Sequence, residues 1–169
     1  MNFPRWALVT GASSGLGVEY VRSLARSGHS IVLVARDGDR LRSVAGRVAE
    51  EFGVSVEVLV ADLHNPSDVA QVGDRLGDTR RPVRVLINNA GYGIAGNLAE
   101  SDLSAERNHL AIHVTAPLEL TKAALPGMLE RGETKLTPWA KIVGKLRTDI
   151  LTHGVTVITA YNAGFDFHV

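Results

Sequence analysis

Short, uninterrupted runs of apolar residues alternate with amphipathic segments along most of the chain. The run at residues 31–35 has no polar position, which is typical of a strand buried on both faces of a parallel sheet. Residues 41–52 instead repeat apolar side chains at intervals of three and four, which is the spacing of an amphipathic helix, and Gly53 ends the pattern. Longer helical patterns cover residues 104–131 and 137–150. Five strands are predicted, at residues 5–10, 30–35, 54–61, 83–88 and 155–160.

Strands that alternate with helices predict an α/β fold, a doubly wound parallel sheet in three layers with right-handed crossovers. We expect the strand order 3-2-1-4-5 in a single domain over residues 1–169, with the last strand beside the fourth. In such a sheet, ligands bind outside the carboxyl ends of the strands. The turns that follow the predicted strands are therefore the candidate functional segments.

The turn after the first predicted strand contains three glycines and opens a helix. Gly11 allows a tight turn, Gly15 allows the backbone to approach a pyrophosphate, and Gly17 allows the helix to pack closely on its strand. The start of the helix then offers free N–H groups and a positive dipole to phosphate. A glycine-rich turn can also be plain punctuation, but the strand–turn–helix context favours a dinucleotide site.

The composition excludes several other kinds of function. Eighteen basic side chains balance eighteen acidic ones, so we expect neither nucleic acid nor an anionic membrane as a partner. The chain contains no cysteine, which excludes disulfides, thiolate catalysis and cysteine-ligated zinc, and we expect no metal site. No apolar run reaches membrane-spanning length and no signal-peptide pattern is found, so we expect a cytoplasmic protein.

Three motifs at predicted strand ends, taken together, resemble the short-chain dehydrogenase/reductase family. They are TGASSGLG at residues 10–17, ADL at residues 61–63 and NNAG at residues 88–91, and the resemblance extends from residue 5 to residue 132. It implies a Rossmann-like fold that binds NAD(P) and transfers hydride between nicotinamide and a carbonyl or alcohol. It also implies that Asp62 bonds the adenine amine. Taken singly, Asp62 can instead be a cap, and Asn88 and Asn89 can be ordinary turn residues.

The end of the second predicted strand bears on the choice of cofactor. Arg36 is placed where the adenosine 2′ substituent would lie, and a guanidinium suits the extra phosphate of NADP, whereas a carboxylate would suit NAD. Arg36 can alternatively pair with Asp37 or Asp39. We predict NADP, with NAD as the second choice. The predicted cofactor-binding residues are Gly11, Ser13, Ser14, Gly15, Leu16, Gly17, Arg36, Asp62, Leu63, Asn89, Ala90 and Gly91.

The catalytic motif of the family is absent from the sequence. The family requires a serine after its fifth strand and a Tyr-x-x-x-Lys pair, but no tyrosine of this chain is followed by a lysine at that spacing. His113 occupies the position of the family's fourth-helix asparagine, and Tyr161 follows the last predicted strand. These two residues are the remaining candidates for catalysis, although His113 also fits a structural histidine. We expect an internally shortened, C-terminally truncated family member that lacks the fifth strand.

These observations leave three functional hypotheses. The first is an NADP(H)-binding oxidoreductase by family, with impaired or no turnover, whose partners are the dinucleotide and a small carbonyl or alcohol. The second is a nucleotide-binding or regulatory module without catalysis. The third is a compact scaffold, natural or engineered, with vestigial motifs. A homo-oligomer is a further candidate partner, and the sequence does not fix the oligomeric state.

Overall fold

The computed structural model describes residues 5–94 and 96–132, together with the backbone of residues 157–159. Within these ranges, five strands form one sheet in the order β3-β2-β1-β4-β5, and every pair of neighbouring strands is parallel. The predicted strand order is confirmed, including the position of the last strand beside the fourth. The predicted helix at residues 137–150 and the candidate Tyr161 lie outside the described residues. The strands are β1 (Trp6–Thr10), β2 (Ser30–Ala35), β3 (Val56–Val60), β4 (Val83–Asn88) and β5 (Val157–Thr159).

Helices cover both faces of the sheet, which confirms the three-layer arrangement. Side chains alternate along β1, so Ala7 and Val9 pack on one side while Trp6 and Leu8 pack on the other. The first side is covered by α1 and α2, and the second by α3 and α5. The helices are α1 (Gly15–Arg26), α2 (Gly38–Phe52), α3 (Pro66–Leu76), α4 (Leu103–Leu110) and α5 (Ala116–Glu130).

Local sequence signals set the ends of the helices. The Asp37 carboxylate caps α2 by accepting a hydrogen bond from the Arg40 N–H at 3.0 Å, and Gly53 ends this helix in a left-handed conformation with φ of 65°. Asn65 caps α3 in the same way and is followed by Pro66 at the first helical position. Each cap ends a loop that follows a strand, β2–α2 or β3–α3, and in a parallel sheet these loops lie at the carboxyl edge.

The predicted single helix over residues 104–131 is interrupted in the structure. Between α4 and α5, residues Ala111–Thr115 form a π-helical turn, and the Ala116 N–H bonds to the carbonyl of Ala111, five residues earlier. Pro117 explains the difference, because proline has no N–H to give to the carbonyl of His113 and its ring crowds that carbonyl. The wider turn relieves this crowding without ending the helix.

Candidate cofactor site

A cleft of about 430 Å³ lies at the carboxyl ends of β1 to β4. This is the edge at which doubly wound sheets bind their ligands. Nine of the twelve predicted cofactor-binding residues line it, and the exceptions are Leu16, Gly17 and Asp62. The lining residues are Gly11, Ser13, Ser14, Gly15, Val34, Ala35, Arg36, Asp37, Arg40, Ala61, Leu63, Asn89, Ala90, Gly91, Tyr92 and Ile112.

The absence of a side chain has a different structural consequence at each of the three glycines of the first turn. Gly11 has φ of 67°, and a Cβ at this position would lie 2.9 Å from the Ala90 Cα. At Gly17 a Cβ would collide with the carbonyl oxygen of Gly11, so this glycine allows α1 to pack against the turn. Gly15 has φ of 55°, with no heavy atom within 4 Å of where its Cβ would lie. Gly15 therefore borders open space in the cleft.

The first turn of α1 has backbone N–H groups that can bind an anion. Its N-cap residue, Ser14, makes no side-chain hydrogen bond to the helix. The N–H groups that a capping side chain would otherwise satisfy therefore remain available, at the positive end of the helix dipole. Leu16, half-exposed in this first turn, does not line the cleft.

A hydrogen-bond network that involves Thr10 joins the ends of β1 and β4. The buried Thr10 hydroxyl accepts hydrogen bonds from the N–H groups of Asn89 and Ala90, at 2.9 and 3.0 Å. The Asn89 side-chain NH₂ in turn donates to the carbonyls of Thr10 and Gly11, at 3.0 and 3.4 Å. Asn89 lines the cleft, but its amide nitrogen is used to hold the glycine turn. Thr10 was missed as a site residue, although its position at the end of a strand before a glycine was a signal.

The charges at the end of β2 are distributed so that Arg36 faces the cleft. Asp37 pairs with Arg40 at 3.2 Å, and Asp39 pairs with Arg42 at 2.7 Å. The alternative in which Arg36 is bound by Asp37 or Asp39 is therefore not what the structure shows. Arg36 and Arg40 both line the cleft, so this end carries two guanidinium groups.

Asp62, after β3, is engaged by His64. Its Oδ1 accepts a hydrogen bond from the His64 backbone N–H at 3.1 Å and lies 2.7 Å from the imidazole Nδ1. Partial burial would raise the pKa of Asp62, but the hydrogen bonds from His64 and the positive charge of Arg36 lower it below its usual range. Of the ADL motif, Ala61 and Leu63 line the cleft and Asp62 does not. His64 was not predicted as a site residue.

Tyr92, which follows the NNAG turn, lies at the centre of a group of three histidines. Its hydroxyl is 3.3 Å from His64 Nε2, and its backbone carbonyl is 2.8 Å from His113 Nε2 and 3.0 Å from His109 Nε2. His113 is buried, and a Cβ at Gly91 would overlap its ring. The structure thus places the catalytic candidate His113 behind the NNAG turn, outside the cleft lining.

In the part of the chain that the structure describes, no group of three or more histidine, aspartate or glutamate side chains is arranged to hold a metal ion. None of the helices there combines the length and the apolar character that crossing a membrane requires.

Comparison with known proteins agrees with this geometry. Among curated relatives, the very-long-chain 3-oxoacyl-CoA reductase of Anas platyrhynchos is 31% identical over 152 residues, which cover 87% of this chain and 48% of that protein. A ketoacyl reductase of Nostoc sp. is 34% identical over 138 residues, covering 82% of this chain and 48% of that protein. The chain thus spans about half the length of these curated relatives.

Solved structures give the same result. A short-chain dehydrogenase from Sphingobium yanoikuyae, in complex with NADPH, is 36% identical with a TM-score of 0.74, over 87% of this chain and 59% of that one. The L-sorbose reductase of Gluconobacter frateurii, complexed with NADPH and L-sorbose, is 34% identical with a TM-score of 0.72, over 77% of this chain and 49% of that one. Residues 5–143 match the family described as short chain dehydrogenase. This match extends from the start of the sheet to beyond α5. Because it covers most of the chain, the chain belongs to the short-chain dehydrogenase family.

Proposed function

We propose that the chain binds NADP(H) in the cleft at the carboxyl edge of the sheet, as a member of an oxidoreductase family acting on carbonyls and alcohols. The observation that carries this proposal is Arg36, which lines the cleft beside the glycine turn without an ion pair to Asp37 or Asp39. A guanidinium in that position suits a phosphate on the adenosine ribose. The similar proteins solved with NADPH support the same choice.

The residues present fit such a dinucleotide. The open space at Gly15 and the uncapped first turn of α1 suit the pyrophosphate. Arg36 would hold the 2′-phosphate, while Arg40 lies at the same end of the cleft in an ion pair with Asp37. Leu63 and Ile112 supply apolar surface for the base. When bound, the nicotinamide supplies or accepts the hydride, and this chain's residues bind and orient it.

Catalytic turnover is a separate part of the proposal, and we expect it to be slow or absent. The sequence has no Tyr-x-x-x-Lys pair, and losing a positioned general acid removes roughly 10²–10⁴-fold in rate. This absence is also the observation that favours the second candidate function, a nucleotide-binding module without catalysis. A titration with NADPH followed by a carbonyl-reduction assay separates the two functions.

The binding proposal is tested by comparing NADPH and NADH affinities in Arg36→Ala. A hydrogen bond to a charged group contributes about 1.5–3 kcal/mol, so NADPH should bind about 10- to 150-fold more weakly while NADH changes little. Arg42→Ala is the matched control, because Arg42 pairs with Asp39 on α2 and does not line the cleft. Equal losses for both cofactors would show that Arg36 does not read the 2′-phosphate.

Self-association is a further proposal, based on an apolar stripe that runs from α4 to α5. Leu110, Val114 and Leu118 recur every four residues and are 58%, 48% and 64% exposed. We expect a homo-oligomer that uses this stripe, and Leu118→Glu should shift its mass towards the monomer in light scattering. An unchanged mass would remove the stripe from the interface. A single domain over residues 1–169 and a cytoplasmic location stay predictions.

A further inference from the structure

A chain of hydrogen bonds runs from Asp62 through His64 to Tyr92. A carboxylate can only accept, so at 2.7 Å from Asp62 Oδ1 the His64 Nδ1 carries the hydrogen. In the neutral imidazole this leaves a lone pair on Nε2, which accepts a hydrogen bond from the Tyr92 hydroxyl at 3.3 Å. Asp62 therefore sets the tautomer of His64, and His64 sets the direction of the Tyr92 side chain.

The Tyr92 backbone contacts two further histidines, and its N–H donates to His113 Nε2 at 3.2 Å. Two imidazoles, those of His109 and His113, approach its carbonyl oxygen at 3.0 and 2.8 Å. The same two rings contact the Tyr92 ring edge-on, with centroid distances of 5.8 and 6.2 Å. The phenol ring thus has histidine contacts at its hydroxyl, its edge and its backbone, and it remains 36% exposed while lining the cleft.

The position of this ring within the cleft follows from the topology. Tyr92 follows β4 and His64 follows β3, and the strands β1 and β2 lie between these two in the sheet. The Tyr92 hydroxyl nevertheless reaches His64. The ring therefore leans towards the end of the cleft that contains Arg36 and Leu63, and away from the β4–β5 side. Arg36 marks the adenosine ribose, and the base attached to that ribose must lie at the same end.

We propose that Tyr92 forms an aromatic wall of the base subsite and stacks on the adenine of NADP(H), with His64 and Asp62 as its positioning residues. The inference rests on the proposed function, since it names the group that the same cleft holds at its adenosine end. Every nucleobase has a π face on which an aromatic ring can stack. The hydroxyl donates to His64, which keeps the face of the ring and not its polar tip turned to the base.

The test uses adenosine 2′,5′-bisphosphate, which contains the base but no nicotinamide, alongside NADPH. Loss of one base–aromatic stack should weaken both ligands by about 5- to 150-fold in Tyr92→Ala. Tyr92→Phe and His64→Ala each keep the ring but remove the hydrogen bond that orients it, so both should lie between the parent and Tyr92→Ala. Tyr20→Phe is the matched control, since Tyr20 lies on α1 and packs against the core under that helix.

A second readout separates stacking from a general structural role. The adenine H2 and H8 resonances of bound adenosine 2′,5′-bisphosphate should move upfield in the parent and in Tyr92→Phe, because they lie over an aromatic ring. The shift should disappear in Tyr92→Ala and in Tyr92→Leu, which keeps the bulk of the side chain without its π system. Thermal melting of each variant shows whether it is folded.

The outcomes distinguish this inference from the proposed function. If the parent binds neither NADPH nor adenosine 2′,5′-bisphosphate, both are overturned. If the parent binds both ligands and Tyr92→Leu binds them equally well with the upfield shift intact, the stacking role alone is overturned. A loss confined to NADPH, with adenosine 2′,5′-bisphosphate unaffected, would place Tyr92 at the nicotinamide end and also overturn it. Parallel losses for both ligands, together with loss of the upfield shift, support the proposal.

Discussion

Replacing Thr10 by valine tests the hydrogen-bond network that joins β1 to β4. Valine has the shape of threonine but no hydroxyl, so the N–H groups of Asn89 and Ala90 lose their acceptor. A buried donor left without a partner costs about 1–3 kcal/mol. Thr10 is 1% exposed and Asn89 is 3% exposed, so water cannot replace the acceptor for the Asn89 N–H.

The Ala90 N–H is only partly buried and contributes a smaller loss. The added methyl group of valine returns about 0.8 kcal/mol through burial. We therefore expect Thr10→Val to lower the free energy of unfolding by about 1–4 kcal/mol, out of the 5–15 kcal/mol typical of a domain. The melting temperature should fall by roughly 2–15 °C for a chain of this size.

The assay is equilibrium unfolding in urea, with Thr10→Ser as the matched control. Serine keeps the hydroxyl and loses only the methyl group, which should cost about 1 kcal/mol. The slope of the free energy against urea should be the same in both variants, because each exposes the same surface on unfolding. If Thr10→Val proved as stable as Thr10→Ser, the hydroxyl would not be the group that joins the two strand ends.

Three further predictions follow from the site and the core. Gly15→Val should abolish NADPH binding in a fluorescence titration, because the valine side chain would enter the open space of the cleft at a φ of 55°. Gly46→Ala on α2 is the control and should bind NADPH normally. Binding retained in Gly15→Val would show that Gly15 does not lie on the phosphate path. Burial, together with the positive charges of Arg5 and Arg84, lowers the pKa of His29 against the opposing hydrogen bond to the Leu24 carbonyl. The unfolded chain therefore binds more protons, so stability to urea should fall as the pH drops below about 6.5, and this fall should be absent in His29→Asn. Carbonyl reduction under saturating NADPH should be undetectable or very slow; substantial turnover that is lost in Tyr161→Phe or His113→Ala would reverse this expectation and identify a proton donor.

Much of the fold followed from patterns that are local in sequence. The apolar run at residues 31–35 and the caps Asp37 and Asn65 each depend on residues a few positions apart, so each could be interpreted without the rest of the chain. The strand β3 is shorter than predicted, because an apolar run shows where a strand can form and not where its pairing ends. The π-helical turn before Pro117 was missed for a related reason. A helical apolar stripe does not distinguish hydrogen bonds to the fourth and to the fifth preceding residue.

In the candidate site, too, some features follow from local sequence and others depend on the tertiary structure. The sequence alone determined the glycine turn and the edge of the sheet at which the cleft lies, since turn chemistry and strand alternation are short-range properties. Only the tertiary structure decided that Asn89 bonds to Thr10 and that Tyr92 meets His64. The partners in each pair are 79 and 28 residues apart, at or after the ends of different strands. Their meeting depends on strand order and register, which no pattern along the chain specifies to within the length of a hydrogen bond.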